Sequence, residues 1–355
     1  MNESVVELST YFGERDRTGG RFLADALFDL YERHEIRTSL LLRGIEGVGR
    51  HHHVHSDRLL TQSESLPAVS IAIDTRERIE RALAEVSGLA DHGSSTLARA
   101  HLIASEDHED LVAGLGEHAD GAIKLGLYGG RSIRSEGQAG YVAALALLRK
   151  AGVMGAWVLL GVDGTLHGER RRAKFFARNA GVPLMLLAIG DAQRIAGVLP
   201  RLTDLLDDPV ATVERVEICK SDGIALAEPA AISDPPGALE SARVGEQDRA
   251  GLASRLKLTV HLDEQAMCDG RPLYLELVRR LAEAGAAGVT VLRGVRGFRG
   301  EREPTADRLH SLRRTAHMHV VAIDAPGKVR RWWPIVEALA CSDALITSEL
   351  VQAVL

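Results

Sequence analysis

At 355 residues, with 45% hydrophobic and 26% charged side chains, the chain has the composition of a globular protein of two or three domains. A formal charge of −6 and only 4% aromatic residues leave no basic face with interleaved aromatics, which puts nucleic-acid binding last. The start, Met1 to Glu7, has no basic and apolar leader pattern, and no run approaches the ~18 apolar residues of a membrane span, so a cytoplasmic protein without membrane insertion is expected.

The first β-type run, Val6–Phe12, leads through a polar loop to a helix with Leu23, Leu27, Leu30 and Tyr31 on one apolar stripe. A second strand, Ser39–Leu42, runs into Arg43-Gly44-x-x-Gly47 and a polar excursion over 48–65. A third strand, Val69–Ile73, a second helix, Arg76–Val86, and a last strand near Thr96–Ile103 complete a β-α-β-β-α-β order. After an acidic linker at 105–121 the order returns, with strands at Ile123–Tyr128, Ala156–Leu160, Leu184–Ile189 and Ala211–Ile218, an excursion at 163–181 and a second helix at Ala192–Leu206. The segment 221–254 carries Ala-Glu-Pro-Ala-Ala and Asp-Pro-Pro-Gly without periodicity and is expected to be a flexible strap. The third run has strands at Leu256–Leu262, Val289–Leu292, His319–Ile323 and Ala344–Val351. Its first helix is striped by Leu273, Leu277, Val278 and Leu281, its second spans Val329–Leu339, and its excursion covers 298–314.

This is one unit written three times, at 1–104, 122–220 and 255–355. The first and third copies align without a gap from Gly20 to Asp74 at a constant spacing of 250. The middle copy lies 133 residues before the third, so Gly161 and Gly164 fall on Gly294 and Gly297, but Leu160 stands where the others have arginine.

The phrase Leu-Arg-Gly-x-x-Gly at 42–47 and 292–297, with Val54 to Leu60 and Leu66-Pro67 through Asp74, resembles a family of PII-like proteins of unassigned function, members of which are encoded beside CrcB-type fluoride channels. More distantly, Ala282 to Val291 followed by Gly297-Phe298 is similar to the PII signal-transduction proteins, homotrimers of ferredoxin-like subunits that bind ATP or ADP in the clefts between subunits. The resemblance implies an α+β fold of three tandem ferredoxin-like units packed as an intramolecular pseudo-trimer. It also implies a non-enzymatic signalling protein that senses a small anionic ligand, with a nucleotide as one candidate. The excursions occupy the T-loop position, which implies contact with a partner, a membrane channel or another protein. One departure is plain: PII proteins have a Gly-Lys-rich phosphate loop after the second helix, and 88–94, 207–209 and 341–343 contain no lysine.

The candidate ligand-binding residues are Arg43, Gly44, Gly47, Thr290, Arg293, Gly294 and Gly297. Glycines able to take positive φ would expose backbone N–H groups beside a guanidinium, a donor set suited to phosphate or carboxylate. The structural alternative is an arginine that caps a strand end or closes a salt bridge. With Leu160 and Asp163 at its turn, the middle unit is expected to have no site, leaving at most two per chain. His51, His52, His53 and His55 support a second reading as a metal-binding or metal-tolerance protein, against a solvated polar loop. No nucleophile-base-orienter set, paired-carboxylate motif or Gly-x-x-x-x-Gly-Lys loop occurs, so no catalytic residue, no cofactor and no enzyme activity are expected; a site assembled only at unit interfaces is the third reading. Asp74 and Asp324 are expected as helix N-caps. Cys219, Cys268 and Cys341 lack metal-ligand spacing and are given no role.

Overall fold

The computed structural model of the chain describes residues 3–48, 54–56, 66–89, 93–103, 121–135, 137–173, 181–229, 253–306, 316–340 and 344–354. The first unit contains β1 (Glu3–Gly13), a short hairpin of β2 (Arg17–Thr18) and β3 (Arg21–Phe22), and α1 (Leu23–Arg33), followed by β4 (Thr38–Val48), β5 (Val54–Ser56), β6 (Pro67–Thr75), α2 (Arg76–Leu89) and β7 (Ser94–Ile103). In the second are β8 (Ala122–Gly130), the hairpin β9 (Arg134–Ser135) and β10 (Gln138–Ala139), and a helix we label α3 (Gly140–Lys150). There follow β11 (Gly155–Leu160), β12 (Asp163–Leu166), β13 (Glu169–Arg170), β14 (Pro183–Asp191), α4 (Ala192–Ala196), α5 (Leu199–Leu206), β15 (Val210–Arg215), β16 (Glu217–Ser221) and β17 (Ile224–Ala225). The third unit comprises β18 (Ala253–Asp263), β19 (Met267–Cys268), β20 (Arg271–Pro272), α6 (Leu273–Glu283), β21 (Val289–Gly294), β22 (Arg296–Arg299), β23 (Thr305–Ala306), β24 (His317–Asp324), α7 (Pro326–Leu339) and β25 (Ala344–Val354).

Within each unit four long strands pair antiparallel in the spatial order second, third, first, fourth. In the first unit this is β4·β6·β1·β7, in the second β11·β14·β8·β15, and in the third β21·β24·β18·β25. Helix stripes cover one face. Leu27, Phe28, Leu30 and Tyr31 of α1 pack with Leu8 and Ala72, and α6 does the same with Leu258 and Val320. Full burial of each such side chain is worth about 1.5–3 kcal/mol, so these stripes set which face of each sheet the helices take.

The other face is covered by the neighbouring units, because both outer strands of every unit continue onto the next. The far end of β4 pairs with the start of β21, β22 pairs with β11, and β12 pairs with the start of β4. At the opposite edge the end of β7 pairs with β15, β16 with the start of β25, and the end of β25 with the start of β7. Both sets run once round the three units and close, joining nineteen strands of the described residues in one sheet. Inside this ring lies a fourth apolar cluster drawn from all three units, including Leu40, Leu42, Ile71, Trp157, Leu187, Leu292 and Leu345.

The elements depart from the sequence expectation in several places: the last strand of the middle unit is broken at Val216 into β15 and β16, and the segment from 221 opens as the β16–β17 hairpin. The second strand does not stop before the glycines: β4 runs unbroken to Val48, and β12 and β22 carry the chain past the glycines in the other units. The neighbouring unit's strand supplies the hydrogen bonds that make this extension worthwhile. The second helix of the middle unit is split into α4 and α5, since Pro200 in the first turn of α5 has no N–H to donate back to Ala196. Asp74 and Asp324 do not cap helices. Their carboxylates accept the backbone N–H of Arg37 at 2.7 Å and of Ala287 at 3.0 Å, tying the end of the third strand to the entry of the second.

Candidate functional site

The Arg-Gly-x-x-Gly phrase lies where one unit's second strand crosses onto the next. Gly44 and Gly47 are strand residues, as are Gly294 and Gly297, and none has positive φ; the positive-φ glycines include Gly20, Gly137 and Gly270 in the short hairpins. The expected anion-cradling turn is therefore not what the backbone forms. These glycines serve close approach instead. A Cβ on Gly44 would lie 2.6 Å from the Pro67 ring and one on Gly47 2.8 Å from the Val289 carbonyl oxygen. On Gly297 it would meet Trp157 at 2.4 Å, and on Gly164 the Ser39 carbonyl oxygen at 2.2 Å. Thr290, buried, pairs across the seam with Gly47.

The arginines stand beside these crossings with carboxylates on them. Arg43 forms an ion pair with Glu14, and Arg293 pairs with Glu264 at 3.2 Å; the two glutamates are 250 residues apart, like the arginines. In the middle unit both positions differ. Leu160 replaces the arginine, and Arg131 replaces the glutamate. Arg131 donates to the Gly161 carbonyl oxygen, while its Nε is buried without a partner. Burial lowers the pKa of this guanidinium.

Asp163, expected to repel an anion at the middle turn, is buried and neutralised. Arg170 grips it through Nη2 to Oδ2 at 2.8 Å and Nε to Oδ1 at 3.2 Å, and Arg172 stands 3.6 Å away. The same arginines reach α1, Arg170 to Asp29 and Arg172 to Asp25 at 2.8 Å. The described start of the middle excursion, 163–173, is thus strapped to the first unit by charge-assisted bonds. Most of 48–65 and 298–314 expected to carry partner contact lies outside the described residues or, as β5, β22 and β23, extends the sheet. His51, His52 and His53 also lie outside the described residues. Among the described residues no group of three or more His, Cys, Asp or Glu side chains is placed to hold a metal ion.

The ring interior holds polar residues that sequence reasoning missed. Glu7, Lys124 and Lys257 occupy one position on the three first strands, at spacings of 117 and 250. Lys124 Nζ lies 2.9 Å from Glu214 and 2.7 Å from Glu349, and Lys257 Nζ lies 3.8 Å from Glu349. Burial pushes the Glu214 carboxyl up to about 8, opposed by Lys124, whereas the two lysines hold Glu349 low against its own burial. Nearby, His261 Nδ1 meets His319 Nδ1 at 2.7 Å, and the His261 ring stacks on Trp157 at 4.5 Å between centroids. Burial, with Lys124, Lys257 and Arg299 adding to it, lowers His261 to about 3, which keeps it neutral. The only available signal was a charge recurring at one register of an otherwise apolar strand, which reads as a solvated face until three sheets are seen to close.

Among the described residues no helix is long and apolar enough to cross a membrane. The family model DUF190, an uncharacterized ACR, matches the chain at residues 5–102, 122–218 and 255–353, each match taking in one of the three units and stopping short of the two linkers. With most of its length covered by these three matches, the chain belongs to the DUF190 family as a tandem of three copies.

Proposed function

We propose that this chain is a non-enzymatic regulatory protein of PII-like type, acting in the cytoplasm, in which three ferredoxin-like units form a pseudo-trimer within one polypeptide. A small anion, with a nucleotide as the first candidate, is taken up at the seams between units, and the excursions beyond the second strands pass that state to a protein partner such as a membrane channel. The carrying observation is the pair of equivalent Arg–Glu contacts, Arg43 with Glu14 and Arg293 with Glu264, each beside a glycine crossing between units. A carboxylate already on the guanidinium acts as an internal stand-in that an incoming phosphate or carboxylate displaces. On this reading Arg43, Gly44, Gly47 and Thr290 line the seam between the first and third units, and Arg293, Gly294 and Gly297 the seam between the third and second.

Calorimetry of the full chain with ATP and ADP, backed by native mass spectrometry of protein taken directly from lysate, tests the proposal. Retained small anions, and nucleotide affinity weakened about tenfold or more in the Arg43→Ala/Arg293→Ala variant, are expected. Absence of any bound anion, or affinity indifferent to both arginines, contradicts it.

A further inference from the structure

We propose that Arg131 of the middle unit is the seat of a small oxyanion, a carboxylate or a phosphate, at the seam between the second and first units. The inference rests on the reading of the protein as an anion-responsive ring, but it moves the best-prepared site to the unit that sequence reasoning had dismissed.

The three units offer an internal comparison. At the end of the first strand and the end of the second, the first and third units place glutamate and arginine, and these neutralise each other. The middle unit places Arg131 and Leu160 there. Its guanidinium keeps five donors, of which one nitrogen is spent on the Gly161 carbonyl oxygen. No carboxylate of the described residues forms an ion pair with it, and Nε is buried with no partner. A half-buried cation without a counterion carries a desolvation cost that an oxyanion accepting from Nε and the neighbouring Nη would offset in the bidentate geometry arginine favours.

The surroundings fit that occupant. Leu160 stands where the other units have an arginine, so the Arg131 guanidinium has no second one beside it from that position. Gly161, whose carbonyl oxygen orients the guanidinium, is pressed against Leu40 of the first unit, since a Cβ there would lie 2.1 Å from the Leu40 side chain. The one acidic side chain expected to oppose an anion, Asp163, is already bound by Arg170 and Arg172.

The test is calorimetry of the full chain at low ionic strength with sodium phosphate and, separately, sodium acetate, the stronger binder giving the class. Arg131→Met is expected to weaken binding about tenfold to a hundredfold, and Arg131→Lys less. Arg131→Glu/Leu160→Arg rebuilds the pair present in the other two units, so it is expected to fold and to lose the binding contributed by the unpaired guanidinium, keeping only what paired arginines give, which separates loss of the site from loss of the fold. Unchanged affinity in a folded Arg131→Met protein overturns the inference. Binding lost in Arg43→Ala/Arg293→Ala but kept in Arg131→Met also overturns it while leaving the reading of the preceding subsection standing. If neither probe binds the wild-type protein at millimolar concentration, both fall.

Discussion

The end of the second strand in the third unit and its counterpart in the middle unit share a backbone and differ in charge. Gly294 and Gly297 correspond to Gly161 and Gly164, and in both units a neighbouring unit's chain lies against them. Beside them one unit carries Arg293 on Glu264, while the other carries Leu160 and a guanidinium with no acid on it. Positions where a neighbour's backbone leaves no room for Cβ are the same in all three copies, whereas positions that only balance charge have diverged. Once three copies are joined in one chain, each seam can differ, which a ring of identical subunits does not allow.

The shared part is broken most sharply by filling a crossing. Gly164→Val puts Cβ atoms against the Ser39 carbonyl oxygen, which is backbone and cannot rotate away. A loss of roughly 3 kcal/mol or more in urea unfolding is expected, from overpacking and the severed β12–β4 pairing. A loss under about 1 kcal/mol would mean that the seam is not closed there.

The divergent part is probed next, inside the ring. Lys124→Met removes the cation beside Glu214 and Glu349 and leaves the Glu349 carboxylate buried with only Lys257, 3.8 Å away, so a loss of about 3–5 kcal/mol at neutral pH is expected. The same substitution should cost less at pH 5, where protonation relieves Glu349. An equal cost at both values would remove the cluster from the account.

A smaller effect follows from pH alone. Glu214 holds its proton up to about 8 in the folded chain, against an ordinary value of 4.5. A folded state that keeps a proton the unfolded chain releases loses relative stability as pH rises. That contribution is therefore fully present below about 4.5 and is lost as pH climbs through about 8. The urea midpoint should fall between pH 5.5 and 8.5, and Glu214→Gln should flatten the slope; a midpoint that rises over this window in wild type and variant alike contradicts the assignment.

Much of the architecture was legible in the residues. The constant spacing of 250 between the outer copies, and the stripes through Leu27 and Leu277, marked repeated units with helices on one face. The glycines were noticed for the right position and the wrong reason: Gly44 and Gly47 read as a turn because their constraint, Pro67 and the strand of another unit, lies far away in sequence. Arg43 was visible but its partner Glu14 was not, since a charge pair across two strand ends has no local spacing. Glu7, Lys124 and Lys257 were lost for the same reason, as burial of that face depends on closure between units.

Closure is what the unequal seams and the buried charges both depend on, and one cross-link tests it. Thr96 on β7 lies opposite Ala353 on β25, joining the first and third units. In the Thr96→Cys/Ala353→Cys protein, mild oxidation followed by peptide mapping under non-reducing conditions should give a 96–353 disulfide within single chains of monomer mass. Only intermolecular cross-links, or two thiols that stay reduced in a folded chain, would show that the ring does not close.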